Sequence, residues 1–176
     1  MIKVGILTVS DSCARGERED LSGPAIQEQL QAAGCRPGAV DASSLQPPAS
    51  GLFAVCDARI VADDRDAIAR ELVRFCDEQA CELVFTTGGT GLGPRDVTPE
   101  ATASVCQRLV PGLGELMRAE GRKHTPYAML SRAIAGLRGG TLIVNLPGSP
   151  RAVRECLEAL AGVLPHAVEM MRGGGH

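Results

Sequence analysis

A chain of 176 residues, 44% of them hydrophobic, is long enough for one well-filled domain and short for two. Its 18 Lys and Arg against 21 Asp and Glu leave a formal net charge of −3, so no bulk positive field collects nucleic acid. Only Phe53, Phe75, Phe85 and Tyr127 offer rings, which removes the stacking platform that single strands need, and 21 Gly with 11 Pro fall short of a low-complexity composition.

Ile2 to Val9 (IKVGILTV) is nearly continuous in its apolarity, the pattern of a parallel strand buried on both faces rather than of a leader peptide. A polar loop follows from Ser10 to Leu21. Ser22-Gly23-Pro24 then opens a helix with Ile26, Leu30 and Ala33 on one face, closed by Gly34. Pro37, Gly38, Pro47, Pro48 and Gly51 make the stretch from Cys35 to Cys56 a surface excursion, neither long helix nor central strand. Ala58 to Ala62 reads as a short strand, and Asp63-Asp64 stands at the entry of a helix carrying Ile68, Leu72 and Phe75.

Glu82 to Thr86 is the third strand, ending in a glycine-rich loop from Thr87 to Asp96. Thr98-Pro99-Glu100 supplies a cap, a first-turn proline and an acid, so a helix is expected from about Pro99 to Leu109, stopped by Pro111-Gly112. Gly114 to Ala119 and Tyr127 to Ala135 read as further helical pieces. Thr141 to Leu146 is the last strand, followed by Pro147-Gly148-Ser149-Pro150 and a helix with Val153, Leu157 and Leu160 on one face. Residues 1–172 are thus expected to form a single domain, and 173–176 a flexible tail. Alternating strands and helices imply an α/β fold, a mostly parallel sheet with helices on both faces, whose ligand site lies beyond the carboxyl ends of the strands.

No stretch reaches the roughly 18 apolar residues of a membrane span. Seven cysteines without a CxxC pair, and only three histidines, disfavour a zinc site and fit reduced thiols in a cytosolic protein. Cys13, in the polar loop, is the thiol open to oxidation. His124, His166 and His176 come with no nucleophile elbow, so Ser–His hydrolysis is disfavoured.

The glycine cluster is the strongest local signal, because glycines let main-chain N–H groups approach anionic oxygens and a helix start adds a favourable dipole. It matches neither a Walker A loop nor GxGxxG, and a plain connection is the competing reading. Asp63 and Asp96 follow different strands and meet at one rim if the sheet is parallel; two carboxylates with phosphate oxygens make a magnesium site. Against this, Asp63 or Asp64 caps the next helix and Asp96 pairs with Arg95. Arg132 reads equally as a surface ion-pair residue and PGSP as an ordinary turn.

TTGGTG (Thr86 to Gly91) followed by RDVTPEAT (Arg95 to Thr102) resembles the molybdopterin adenylyltransferase family of molybdenum cofactor biosynthesis. The likeness extends to VSDS (Val9 to Ser12), SGPAI (Ser22 to Ile26), RIVADDRDAI (Arg59 to Ile68), PGLGELMR (Pro111 to Arg118) and Ala128 to Pro150, nearly the whole chain. Where Ala62 stands, the family usually has Pro. Related domains with the GG loop occur in molybdate-insertion and competence-damage proteins, but RDVTPE argues for adenylyl transfer.

The resemblance implies a three-layer α/β sandwich and transfer of AMP from ATP to the phosphate of molybdopterin, with pyrophosphate released and Mg2+ present. It implies Asp63 and Asp96 as catalytic and metal-positioning residues, Asp64 being the alternative to Asp63. Ser10, Asp11, Thr87, Gly88, Gly89, Thr90, Gly91, Ser131, Pro147 and Gly148 are its binding set. It further implies a homotrimer, to which Leu113, Leu116, Met117, Met129 and Leu130 offer apolar surface unless they complete the monomer core, and hand-over to a molybdate-insertion protein. A pterin-binding module without chemistry, or a competence-damage-type nucleotide hydrolase, is the alternative activity.

Overall fold

The computed structural model describes residues 1–34 and 51–174. In chain order these form β1 (Ile2–Val9), α1 (Asp11–Ala14), α2 (Ser22–Gly34), β2 (Phe53–Val61), α3 (Arg65–Val73) with a π-helical turn (Arg74–Glu78), and β3 (Leu83–Thr87). There follow α4 (Thr98–Val105), β4 (Arg108–Leu109), α5 (Pro111–Arg122), a 3-10 turn (Pro126–Leu130), β5 (Ala135–Arg138), β6 (Thr141–Leu146), α6 (Pro150–Leu160) and α7 (Leu164–Met171).

The six strands lie in the order β2-β1-β3-β6-β5-β4, the first four parallel and the last two antiparallel. Alternation along the strands divides the apolar side chains between two faces. Ile2, Val4 and Ile6 of β1 and Leu142, Val144 and Leu146 of β6 meet α2, α5, α6 and α7 on one face. Leu7, Val9, Val84 and Ile143 meet Ile68, Leu72, Phe75, Ala101 and Val105 from α3 and α4 on the other. The result is a three-layer α/β sandwich. Gly5 lets these layers close, since a Cβ there would stand 2.4 Å from the Phe75 ring.

The strands β1 and β6 have the bounds that their apolar runs predict, while several other expectations are corrected. The second strand begins at Phe53, not Ala58, so the end of the expected Cys35–Cys56 excursion is strand; residues 35–50 of that excursion lie outside the described residues. Ser10 to Leu21 is not all loop, because Asp11–Ala14 forms a helical turn capped by Ser10. Thr98 does not cap its helix: it is the first residue of α4, and its Oγ1 donates to the Gly88 carbonyl (2.9 Å). That helix ends at Val105, and Leu109 pairs as strand. Pro111 opens a helix rather than stopping one, since proline at a first turn forfeits no intrahelical hydrogen bond.

Tyr127 to Ala135 is helical only through Leu130, after which Ala135 starts an antiparallel strand. Leu113 and Met117 are buried in the core of this chain and offer nothing to a neighbour. Ala33 and Gly34 lie outside the described side chains, as do residues 175–176 of the expected tail. Gly173, with φ +87°, closes α7, and the Gly174 N–H donates to the Glu169 carbonyl. Among the described residues no helix is long and apolar enough to cross a membrane.

Candidate functional site at the carboxyl rim of the sheet

Four parallel strands deliver their following residues to one rim. Ser10 and Asp11 follow β1, Asp63 follows β2, the glycine loop follows β3, and Pro147-Gly148 follow β6. The loop after β3 folds by requirements that only glycine meets. Gly88 has φ +98°, and a Cβ there would stand 2.3 Å from the Val9 carbonyl oxygen; Gly89 has φ +63°, and its Cβ would meet Thr98 Oγ1 at 2.3 Å. Thr98 also returns its N–H to the Gly89 carbonyl (3.1 Å), so α4 begins directly under the loop. Thr87 Oγ1 donates to the Pro147 carbonyl (2.7 Å), joining the loop to the turn after β6.

Below the rim, buried Asn145 donates through Nδ2 to Thr86 Oγ1 (2.9 Å) and Thr102 Oγ1 (2.8 Å). That network ties β6, β3 and α4 together under the site. From the other side Arg132 holds the loop. Its N–H donates to the Thr90 carbonyl (2.9 Å), its Nε to the Gly91 carbonyl (2.7 Å), and its terminal nitrogens to the Asp96 carbonyl and the Glu100 carboxylate. The reading of Arg132 as a surface ion-pair residue therefore covers only its contact with Glu100.

The acidic residues take separate posts. Asp64 is a helix cap, its Oδ1 accepting from the Ala67 N–H (2.8 Å). Asp63 turns instead to the rim, accepting from the Asp11 N–H (2.8 Å), with Oδ1 3.4 Å from where a Gly89 Cβ would be. Burial chiefly raises the pKa of Asp63 above its ordinary value; the Asp11 N–H opposes this, and the charges of Asp11 and Asp96 add to it. Asp96 does not pair with Arg95. Its Oδ2 accepts from the Gly93 N–H (2.7 Å), while Arg95 forks onto both oxygens of Asp11 (2.8 and 2.9 Å) and holds that carboxyl below its usual range.

Two cavities flank the loop. One of about 500 Å3, mostly apolar, is bordered by Thr90, Gly91, Met117, Tyr127, Ser131 and Pro147. The other, about 160 Å3 and more polar, is bordered by Thr8, Ser10, Asp20, Thr87, Gly88 and Gly148. Of the residues read from the sequence as binding, Thr87 to Gly91 lie on the loop, Ser10, Ser131, Pro147 and Gly148 border a cavity beside it, and Asp11 instead meets Asp63 and Arg95. Missed by that reading were Arg132, Thr98 and Asp20. Asp20 accepts from Thr8 Oγ1 (2.6 Å), the Ser22 N–H and hydroxyl (2.9 and 3.0 Å) and the Gly23 N–H (3.0 Å). An acid two residues before Ser-Gly-Pro was the available signal for that cap.

Residues 49–166 match the family described as a probable molybdopterin binding domain. The chain belongs to that family. The molybdopterin adenylyltransferase of Helicobacter pylori is 46% identical over 172 residues, covering 98% of this chain and 89% of its own. That of Escherichia coli K12 is 36% identical over 159 residues, covering 90% and 73%. Among solved structures, the molybdopterin biosynthesis enzyme MoaB of Thermus thermophilus superposes with a TM-score of 0.83 at 47% identity, covering 98% of each chain.

Charge and donor type test whether a magnesium ion fits this family member's rim. Mg2+ takes hard oxygen donors and commonly needs only one or two carboxylates beside substrate phosphates. Asp63 and Asp96 are two such carboxylates, and the charge of Asp96 adds to the causes that raise the Asp63 pKa, a repulsion that a cation between them would relieve. Among the described residues no group of three or more His, Cys, Asp or Glu is arranged to hold a metal; two carboxylates fit a metal whose remaining donors are phosphate and water oxygens.

Proposed function

We propose that this chain is a molybdopterin adenylyltransferase, a nucleotidyltransferase of molybdenum cofactor biosynthesis that moves AMP from ATP onto the phosphate of molybdopterin. The observation that carries the reading is the glycine loop standing between two cavities, with Asp63 and Asp96 at its edge. Two substrates with ring systems and phosphates are accommodated when each occupies one cavity and their phosphates meet over the loop. The two cavities stand on either side of the loop, so one takes the pterin and the other the nucleotide.

In the reaction an oxygen of the pterin phosphate attacks the α-phosphorus of ATP in line; the new P–O bond forms as the bond to the β-phosphate breaks, and pyrophosphate leaves. The attacking phosphate is already ionised, so no protein base is required. The work of the chain is positioning: the loop would receive the phosphates, and Arg132 and Thr98 keep it in one shape. Asp63 and Asp96 would hold Mg2+, which when bound offsets the charge gathering on the phosphoryl oxygens.

The reading includes a homotrimer in the cytoplasm whose product passes to a molybdate-insertion protein. The exposed apolar side chains of Tyr127, Met129 and Leu130 support the assembly. The test is pyrophosphate release by purified chain given ATP, magnesium and molybdopterin. No release where the Helicobacter pylori relative turns over would overturn the proposal. A binding module without chemistry would bind pterin and release nothing, and a hydrolase would consume nucleotide without pterin.

A further inference from the structure

Cys56 and Cys81 place their sulfurs 3.2 Å apart, although 25 residues separate them in the chain. The strand pairing explains how. Val4 of β1 pairs with Val55 and Gly5 with Asp57, so Cys56 is the extra residue of a β-bulge, left without a partner in the register. A bulge re-aims its side chain. The Cys56 thiol approaches the Val4 carbonyl (3.3 Å) and reaches Cys81, which stands just before β3 on the far side of β1.

The two thiols differ in setting. Cys56 is exposed on the edge strand, whereas Cys81 is 2% exposed. The backbone of Cys81 is anchored by its N–H on the Phe75 carbonyl (3.0 Å) and by Thr141 Oγ1 on its own carbonyl. Burial pushes the Cys81 thiol up to about 12, so it is not the group that meets an oxidant first. The sulfurs must close by about 1 Å to reach bonding distance. An edge strand with a bulge permits that shift without disturbing the sheet centre.

We infer that Cys56 and Cys81 form a reversible intramolecular disulfide when the protein meets a peroxide. The Cys56 sulfur attacks one peroxide oxygen: an S–O bond forms, the O–O bond breaks, and the other oxygen leaves as water with the Cys56 proton. The Cys81 sulfur then attacks the sulfenic sulfur: the S–S bond forms, the S–O bond breaks, and the hydroxyl leaves as a second water with the Cys81 proton. Two thiols are oxidised and one peroxide is reduced to two waters. A dithiol reductant reverses the bridge by thiol–disulfide exchange. The bridge lies at the amino end of β3, opposite the rim that carries Asp63 and Asp96.

Purified full-length protein treated with hydrogen peroxide should lose two free thiols per chain. Proteolysis without reduction should yield the Cys56 peptide joined to the Cys81 peptide, and dithiothreitol should release them. Cys56→Ser is expected to fold, to keep pyrophosphate release unchanged and to lose both the bridge and any rise in melting temperature that peroxide brings. Because Cys81 is buried, Cys81→Ala serves as the second variant, in which Cys56 should stop at the sulfenic or sulfinic acid. The inference is overturned if wild-type Cys56 is recovered over-oxidised, reduced, or joined to another cysteine such as Cys35. The thiol count, the linked peptides and the melting temperature do not depend on the adenylyl transfer reading.

Discussion

Asp11 and Asp63 are tied to each other in both directions: the Asp11 N–H donates to Asp63 Oδ2 at 2.8 Å, and the Asp63 N–H donates to Asp11 Oδ1 at 3.1 Å. This reciprocal pair links the turn after β1 to the turn after β2 and brings two carboxylates close at the carboxyl rim of the sheet. Arg95 neutralises one of them by forking onto Asp11. The charge on Asp63 is left opposed by burial and by its acidic neighbours. Under the proposed function this is the carboxylate whose charge a cation arriving with phosphate would relieve.

Asp63→Asn keeps an oxygen for the Asp11 N–H and removes the disfavoured charge. Turnover should fall on the order of 10²-fold or more, as when one fixed electrostatic group is removed from a transition state. Metal-free protein should melt at a higher temperature than wild type. Pyrophosphate release and a thermal melt in chelator check both, and unchanged turnover would leave Asp63 a purely structural post.

Asp96 has two jobs that substitutions separate. Its Oδ2 accepts from the Gly93 N–H, and its charge faces Asp63. Asp96→Asn should retain the loop contact and pterin binding while losing turnover; Asp96→Ala should lose the loop contact and weaken binding as well. Titration calorimetry with molybdopterin beside the pyrophosphate assay distinguishes the two, and full activity of Asp96→Asn would remove the charge from the mechanism.

Asp20 sets an acid limit on stability. Burial by itself would raise its pKa, but the hydrogen bonds from Thr8, Gly23 and Ser22 outweigh burial and hold it below the ordinary 3.8. A carboxyl lowered on folding stabilises the fold above its unfolded pKa, and that contribution disappears as pH falls through the folded value. Asp20→Ala should therefore lose about 1 kcal/mol at neutral pH, the usual scale for a helix cap. Urea unfolding at pH 7 should show the difference, and the difference should shrink as pH falls below 3.8 and through the lowered folded value.

Much of this architecture is legible in residue order because buried parallel strands write themselves as apolar runs, as β1 and β6 do. The other end of the sheet does not. Ala135–Arg138 contains a glycine and an arginine, and Arg108–Leu109 is two exposed residues, so neither carries a strand period. Phe53 to Cys56 is hidden for a different reason: the bulge at Cys56 interrupts the alternation, and prolines stand shortly before. Within the site, residue types located the loop and the acids. Which of Asp63 and Asp64 turns to the rim depends on the Asp11 contact across 52 residues, which no local pattern encodes.

Assembly has a direct check. Tyr127, Met129 and Leu130 are 76%, 53% and 52% exposed on one short turn, an apolar group that a neighbouring copy would cover. Light scattering should give about three times 18.3 kDa. Met129→Glu should shift the protein toward smaller species, and a wild-type monomer at micromolar concentration would refute the trimer.

Arg132 is the residue whose loss should most clearly separate loop shape from metal chemistry. Its guanidinium reaches the Gly91 carbonyl, the Asp96 carbonyl and the Glu100 carboxylate at once, acceptors 41, 36 and 32 residues away. A lysine can present its charge to Glu100 but cannot span three acceptors with one planar fork, so the exchange is not conservative here. Freed carbonyls at Gly91 and Asp96 leave the loop able to relax from the shape that Gly88 and Gly89 create. Arg132→Lys should cost roughly 1–3 kcal/mol of stability, the scale of losing charge-assisted hydrogen bonds. It should raise KM for molybdopterin and lower kcat together, because both ground-state binding and transition-state alignment use the same loop. If Arg132→Lys changed stability alone, with kcat and KM unaltered, the loop would be fixed by Thr98 and Thr87 without it.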